Sequence, residues 1–396
     1  MVERRPKLVY ILAQFPSPTE TFIANEISGV IENGAALAVF AFRQGEIGEM
    51  PPCRVFYRGQ KEYVRMSGFW KDYWAYTIDA CRLEWRAAVN FLYTLRNLGT
   101  ARELAQIVQE ENITHLHAHF AHIPADLALM VGKREDLTVS FSAHAWDVYC
   151  QEKTVATKIR RSNLCITCTE AARRHLESLV EDDQKSKIQT IYHGTDLERF
   201  EQTRNGELGA PPRLLAVGRL VPKKGFDVLL YACQRLAARR DFHLKIVGEG
   251  PFGPRLKKLT SDFGLSERVT FAGHVPYEKM PEVYRNADLI AVPSVIGRDG
   301  NRDGLPNVVV EAMASGVPVV GSRLSGIPEA IYDRETGILT VPGDSASLAD
   351  GVSTLLSDDS LRENCVKAAR NLVEEKFDYR QNAAHVHEAL QGAGAP

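Results

Sequence analysis

Short apolar runs alternate with amphipathic segments along almost the whole chain, and that alternation leaves few folds open. "KLVYILA", "ALAVFAF", "THLHAHF", "LTVSFSA" and "NLCITCT" read as buried strands of a first half. "RLLAVGR", "HLKIVGE", "RVTFAGH", "DLIAVPS" and "VPVVGS" read as those of a second. Helical patterns such as "TETFIANEISGVIENG" and "EKMPEVYRNA" stand between them. Strand, helix and strand in steady rotation require parallel sheets with helices on both faces. A chain of 396 residues is too long for one compact core and suits two domains. "LERFEQTRNGELGAPPR", residues 197–213, is polar, carries two Gly and two Pro and lacks periodicity, so it reads as the linker. The predicted architecture is α/β: two Rossmann-like, doubly wound parallel-sheet domains facing one another across a cleft. They are expected over residues 1–200 and 213–375, with 376–396 a final helix packing back on the first domain. Ligands of such sheets bind at the carboxyl ends of the strands.

Composition narrows the partners. A formal net charge of −2 offers no field that would attract nucleic acid. Seven cysteines, an odd number without a framework spacing, suit a reducing compartment. The apolar run that follows the basic opening "MVERRPK" is short and ends at Gln14 and Pro16, so it reads as a first strand and not as a signal peptide. No window approaches the roughly 18 apolar residues of a membrane span, and the expected location is the cytoplasm. One segment stands apart. Residues 54–104 hold eleven aromatics, three of the four Trp among them, and nine Lys/Arg against five Asp/Glu, a local charge of +4. Two readings fit: extra helices packed on the first sheet, or a face for an inner-membrane surface or lipid-borne acceptor.

The chemistry concentrates in the second half. In "DGLPNVVVEAMASGVPVV", residues 303–320, Asp303 lies in a loop and Glu311 inside an apolar run. Pro306 and Gly316 bound a helix of roughly 306–315. Its N-terminus should open at the carboxyl edge of the sheet and offer N–H groups to a phosphate, while the two carboxylates suit sugar hydroxyls. The plainer alternatives are a helix cap for Asp303 and an internal ion pair for Glu311. "AVGRLVPKKGFDVLL" puts Arg219 and Lys224 in the loop after the first strand of the second domain, a clamp for a diphosphate, with Lys223 read as solvated. "VGEGP" lets a backbone come close to a ligand through Gly248, and "SGIPEAI" (325–331) reads as a further helix start with N–H donors.

These segments, in this order and spacing, resemble the retaining, nucleotide-sugar-dependent glycosyltransferases of family GT4, which have the GT-B fold. The branch that assembles colanic acid and other exopolysaccharides is the most similar, through "RDGLPNVVVEAMA". The resemblance implies a nucleotide-sugar donor bound by Gly218, Arg219, Lys224, Gly248, Asp303, Gly304, Leu305, Asn307 and Glu311. Glu311 would take the ribose hydroxyls. The first acid of the family's Glu-x7-Glu pattern contacts the donor sugar, and here that acid is Asp303, one methylene shorter. "SFSAHAWDVY" makes His144 the active-site histidine, with Asp147 a secondary candidate. Catalysis would rest on His144, Arg219, Lys224 and Asp303. "QFPSPTETF" would line the acceptor side through Phe15, Ser17, Thr19 and Glu20, and "HLHAHFAH" would bring His119 near the cleft. The acceptor would be a glycan or a polyprenyl-diphosphate-linked oligosaccharide.

Four His in eight residues invite a zinc site, but the run lacks Cys or carboxylate partners in sequence, and "CITC" has no second pair. With Arg219, Lys224 and helix N-termini to offset charge on a leaving diphosphate, and no Asp-x-Asp pair, neither a metal nor another cofactor is expected. A dinucleotide oxidoreductase is disfavoured because "LVYILAQFPSPTETF" has no glycine after the first strand. A GT-B epimerase and a catalytically silent nucleotide-sugar-binding protein remain as alternatives.

Overall fold

A computed structural model describes residues 7–17, 20–45, 50–60, 87–202 and 208–394. Trp70, Trp74 and most of the aromatic and basic segment lie outside the described residues, as does Thr19. The chain divides into two compact units, Met1–Cys168 with Arg173–Ile191 and Asn382–Pro396, and Thr169–Ala172 with Tyr192–Gln381.

The first unit holds a seven-stranded sheet of β1 (Leu8–Leu12), β2 (Leu37–Ala41), β3 (Arg54–Tyr57), β4 (His115–His119), β5 (Thr138–Ala143), β6 (Leu164–Thr167) and β7 (Ile188–Thr190). Their order is β3-β2-β1-β4-β5-β6-β7, and every pairing is parallel. β1, β2 and β4 are buried at every position. That is the signature of strands covered on both faces, and it explains why the sequence shows continuous apolar runs and not alternation. The helix Thr21–Glu32 buries Ile23, Glu26, Ile27 and Val30, one stripe at helical spacing.

The second unit holds β8 (Arg213–Val217), β9 (His243–Val247), β10 (Val269–Gly273), β11 (Leu289–Val292), β12 (Val319–Ser322) and β13 (Ile338–Thr340). Their order is β10-β9-β8-β11-β12-β13, again parallel throughout. The period of two sorts side chains between faces: Leu214 and Ala216 join one core layer and Leu215 the other, as do Leu289 and Ala291 against Ile290 and Val292. Each sheet therefore reverses direction once, between β1 and β4 in the first unit and between β8 and β11 in the second. At such a switch point the loops leaving two adjacent strands diverge and open a crevice.

Three expectations change. Residues 54–57, read as part of an added helical or membrane face, form the edge strand β3. Glu103, on the helix Ala87–Glu111, accepts from the N–H groups of Gly59 and Gln60 at 2.9–3.1 Å and ties this edge to the unit. The boundary falls at Ile191–Tyr192, ahead of the predicted linker, because Phe200 is fully buried against Tyr277 and Tyr284. The segment at 325–331 makes only a single 3-10 turn, Ile327–Glu329, and no helix. From Asn382 the last helix, Tyr379–Ala393, belongs to the first unit, where Ala383, Val386 and Leu390 pack with Leu8 and Tyr10.

Candidate active site

The switch point of the second unit gathers charge. After β8 the chain makes a 3-10 turn, Pro222–Lys224, and leaves it through Gly225 at φ +64, where a Cβ would collide with the carbonyl oxygen of Pro293. That close approach brings the β8 loop onto the β11 loop, and the Val295 N–H donates to the Lys223 carbonyl at 2.8 Å. Lys224 Nζ lies 2.8 Å from Asp303 Oδ2, and Lys223 Nζ lies 3.2 Å from Oδ1. Ser294 Oγ donates to Oδ2 at 2.8 Å, and Lys223 also donates to the Asn301 side-chain oxygen at 3.2 Å. Asp303 is 7% exposed. Burial pushes its carboxyl up, but Lys224, Lys223 and the Lys224 and Ser294 hydrogen bonds outweigh it and hold it at about 2. Arg219 is exposed, and its guanidinium has no partner among the described residues.

One expectation and one alternative are corrected here. Lys223 is not solvated, because Asp303 and Asn301 hold it. Asp303 does not cap the following helix, whose N-cap is Pro306, and both its oxygens are engaged by protein donors.

The helix Asn307–Ala314 starts without a side-chain cap, so its first N–H groups project from its end. Glu311 sits inside it, 6% exposed among buried Val310, Ala312 and Met313. Its partner is a hydroxyl and not a cation: Tyr284 Oη donates to Oε2 at 2.6 Å. Burial outweighs that bond and pushes the Glu311 carboxyl up to about 7. Gly304 accepts from the Gly326 N–H at 3.1 Å, and Leu305 packs on the adjacent core. Gly248, at φ +128, meets its own protein first, since a Cβ there would collide with the Gly218 carbonyl oxygen. The 325–331 turn is occupied too. Gly326 N–H is committed to Gly304, and the Glu329 carboxylate accepts from the Glu170 and Ala171 N–H groups at 2.8 Å and from Tyr192 Oη at 2.9 Å.

The switch point of the first unit gathers rings. His144 follows β5 directly and forms the N-cap of the helix Ala145–Cys150. Its N–H donates to Asp147 Oδ2 at 3.0 Å, and its ring accepts from the Asp147 N–H in return. Asp147 is thus a capping residue, buried, with its carboxyl pushed up by that burial. Phe22 and Phe120 flank the His144 ring at centroid distances of 5.4 and 4.3 Å. His119, expected near the cleft, is 0% exposed and lies between His144 and Glu26. Phe15, expected on the acceptor side, is 2% exposed in the core. Ser17 and Glu20 are half-buried just ahead of the helix Thr21–Glu32.

Glu26, His117 and His119 bring three ligand-type atoms within 4.8 Å of one another. His117 has both ring nitrogens on serine hydroxyls, Ser140 at 2.8 Å and Ser142 at 3.1 Å, and burial holds its pKa well below the usual range. This set is wired by hydrogen bonds at each of these nitrogens. The sequence reading missed Glu26, although the signal was present: a carboxylate on an apolar helical stripe, as at Glu311.

Two parallel α/β units, each with its polar cluster at the switch point, define the class of fold, GT-B. Family comparison narrows this, with the Glycosyltransferase Family 4 model matching residues 20–199 and the Glycosyl transferases group 1 model matching 198–372. The chain belongs to glycosyltransferase family 4. It is similar to a putative colanic acid biosynthesis glycosyltransferase, WcaL, of Salmonella typhimurium, 26% identical over 97% of this chain and 99% of that one. It is also similar to the amylovoran biosynthesis glycosyltransferase AmsK of Erwinia amylovora, 36% identical over 50% of each chain. In fold it is similar to HepE of Anabaena, solved in complex with UDP, with a TM-score of 0.75 and 19% identity over 98% of this chain and 100% of that one.

Proposed function

We propose that this glycosyltransferase moves a sugar from a nucleoside-diphosphate-sugar donor to a glycan or polyprenyl-diphosphate-linked acceptor during exopolysaccharide assembly. Transfer retains the anomeric configuration and needs no metal. The observation that carries the reading is the cation cluster where the β8 and β11 loops meet. As the anomeric carbon parts from the diphosphate, negative charge gathers on the leaving group. Preorganised donors there are each worth about 2.7–4 kcal/mol, by analogy with oxyanion-hole donors. Lys224 and the unpaired Arg219 are assigned that task, with the open end of the helix Asn307–Ala314 adding N–H groups. Glu311 accepts the ribose hydroxyls. Asp303, whose oxygens Lys223, Lys224 and Ser294 already occupy, is assigned to aim the lysines and not to hold the sugar. Because those oxygens serve ammonium groups, they are poor ligands for a divalent cation. His144 serves the reacting sugar.

Support for the donor class comes from the UDP bound by HepE and from the GDP-mannose named for a mannosyltransferase of Mycolicibacterium smegmatis, 34% identical over 50% of this chain. A panel of UDP-, GDP- and ADP-sugars, read by thermal shift and by hydrolysis, tests the reading. One nucleotide class should raise Tm in the wild type and not in Lys224→Ala, and turnover should persist in EDTA. No shift and no hydrolysis with any donor would overturn it.

No helix among the described residues is long and apolar enough to cross a membrane. We place the enzyme in the cytoplasm at the inner-membrane surface, through the aromatic and basic residues that follow β3 in the segment 54–104. Co-sedimentation with anionic vesicles, released by salt, is the expected result, and indifference to such vesicles would remove this placement.

A further inference from the structure

A buried line of hydrogen bonds in the first unit has no counterpart in the donor chemistry of the second. Tyr10 Oη donates to Glu26 Oε1 at 2.9 Å, and His119 Nε2 lies 3.1 Å from the same oxygen. His119 Nδ1 lies 3.4 Å from His144 Nε2. Tyr10 and His119 are fully buried, and Glu26 and His144 nearly so.

The protons along this line follow from its two ends. A carboxylate only accepts, so His119 carries a proton on Nε2 and donates it to Glu26. At the other end, the Asp147 N–H donates to the His144 ring. His144 Nε2 is turned to His119, so the accepting atom is Nδ1, and it bears no proton. His144 then carries its proton on Nε2, facing Nδ1 of His119, the bare nitrogen of that ring. Every link points the same way, from His144 to His119 to Glu26.

We propose that Glu26 is a positioning residue: through His119 it fixes His144 as the neutral Nε2–H tautomer, a hydrogen-bond donor and not a base. The link to catalysis rests on the reading of His144 given above. At 3.4 Å the last bond is long, so the His144 proton can be shared with an arriving oxygen. The partner it fits is an acceptor oxygen of the donor, on the sugar or its phosphate. An attacking hydroxyl that must lose a proton is the wrong partner, because no bare nitrogen faces it.

Ring 15N shifts of histidine-labelled enzyme test this in the wild type at neutral pH, without any variant. His119 and His144 should both show a pyrrole-type Nε2 and a pyridine-type Nδ1. A protonated Nδ1 on either ring would overturn the proposal. Glu26→Leu removes the anchoring acceptor and should leave His144 a mixture of tautomers, whereas Glu26→Gln keeps an acceptor oxygen and should restore the wild-type pattern. An unchanged pattern in Glu26→Leu would also overturn it. In Glu26→Leu, kcat should fall up to about a hundredfold, with the Kd for nucleoside diphosphate unchanged. If the tautomers shift as stated and kcat does not, the proposal stands, and the catalytic reading of His144 is what fails.

Discussion

The two switch points occupy the same place in two sheets of the same topology, yet they are built from opposite materials. In the second unit, two ammonium groups converge on one carboxylate, and charge holds charge. In the first, two imidazoles and a carboxylate stand along one line of hydrogen bonds. The first arrangement stores electrostatic potential and suits an anion that arrives already charged. The second stores orientation, since a line of donors and acceptors specifies which nitrogen bears a proton but carries little field of its own. On the roles proposed above, a two-domain fold separates the recognition of charge from the direction of protons by repeating one topology with different residues.

The largest effect should come from breaking the charged cluster. Asp303→Asn removes the counter-charge of two largely buried ammonium groups. Breaking a buried pair in this way costs about 3–5 kcal/mol. Tm should fall sharply, turnover should drop by orders of magnitude, and the nucleoside diphosphate alone should bind more weakly because Lys224 is no longer aimed. Intact nucleotide binding with only the sugar-bearing donor weakened would instead return Asp303 to the sugar. That was the expectation from its sequence position. Sequence position alone does not say which side chains already take the acid's oxygens.

The next effect separates Asp303 from Glu311, which the sequence presents as a pair. Glu311 has no cation, and its carboxyl is held up at about 7. Between its ordinary value near 4.5 and that figure, the folded chain binds a proton that the unfolded chain releases. Stability contributed by this group therefore falls as pH rises through that window, by on the order of 3 kcal/mol. Asp303 behaves in the opposite sense: its contribution is present above about 4 and lost as pH falls through about 2. Thermal unfolding followed from pH 5 to 8 should show the wild type losing stability that Glu311→Gln does not lose. Parallel curves would show that Glu311 is not a buried acid without a counter-ion. A ribose hydroxyl donating to Glu311 would favour the ionised form, so nucleotide binding near pH 6.5 should release protons in the wild type and not in Glu311→Gln.

The sheets were legible because a strand covered on both faces must be apolar throughout, and the runs at Leu8–Leu12, Leu37–Ala41 and Val319–Ser322 are. The edge strand Arg54–Tyr57 was not, since half of an edge faces solvent and its residues blend into an aromatic and basic segment. Lys223 and Lys224 differ by one position in a loop, and only the fold of that loop shows that both reach Asp303. Glu26 was legible by the rule that singled out Glu311. Its role was not, because the residues that give it meaning, Tyr10, His119 and His144, come from three distant segments.

The smallest effect sharpens the comparison with a matched pair of serines. Ser294 Oγ donates to the ionised Asp303 at 2.8 Å, and Ser142 Oγ lies 3.1 Å from a neutral nitrogen of His117. Both hydroxyls are buried, so truncation of either to alanine removes the same atom from a similarly dry place. A hydrogen bond to a charged group is worth about 1.5–3 kcal/mol and a neutral one about 0.5–1.5 kcal/mol. Ser294→Ala should therefore cost about twice as much as Ser142→Ala in denaturant unfolding at pH 7. Below about pH 3 the carboxylate begins to take up a proton, and the Ser294 cost should shrink towards the Ser142 value. Equal costs at pH 7 would mean that the two switch points do not differ in charge as the distances imply.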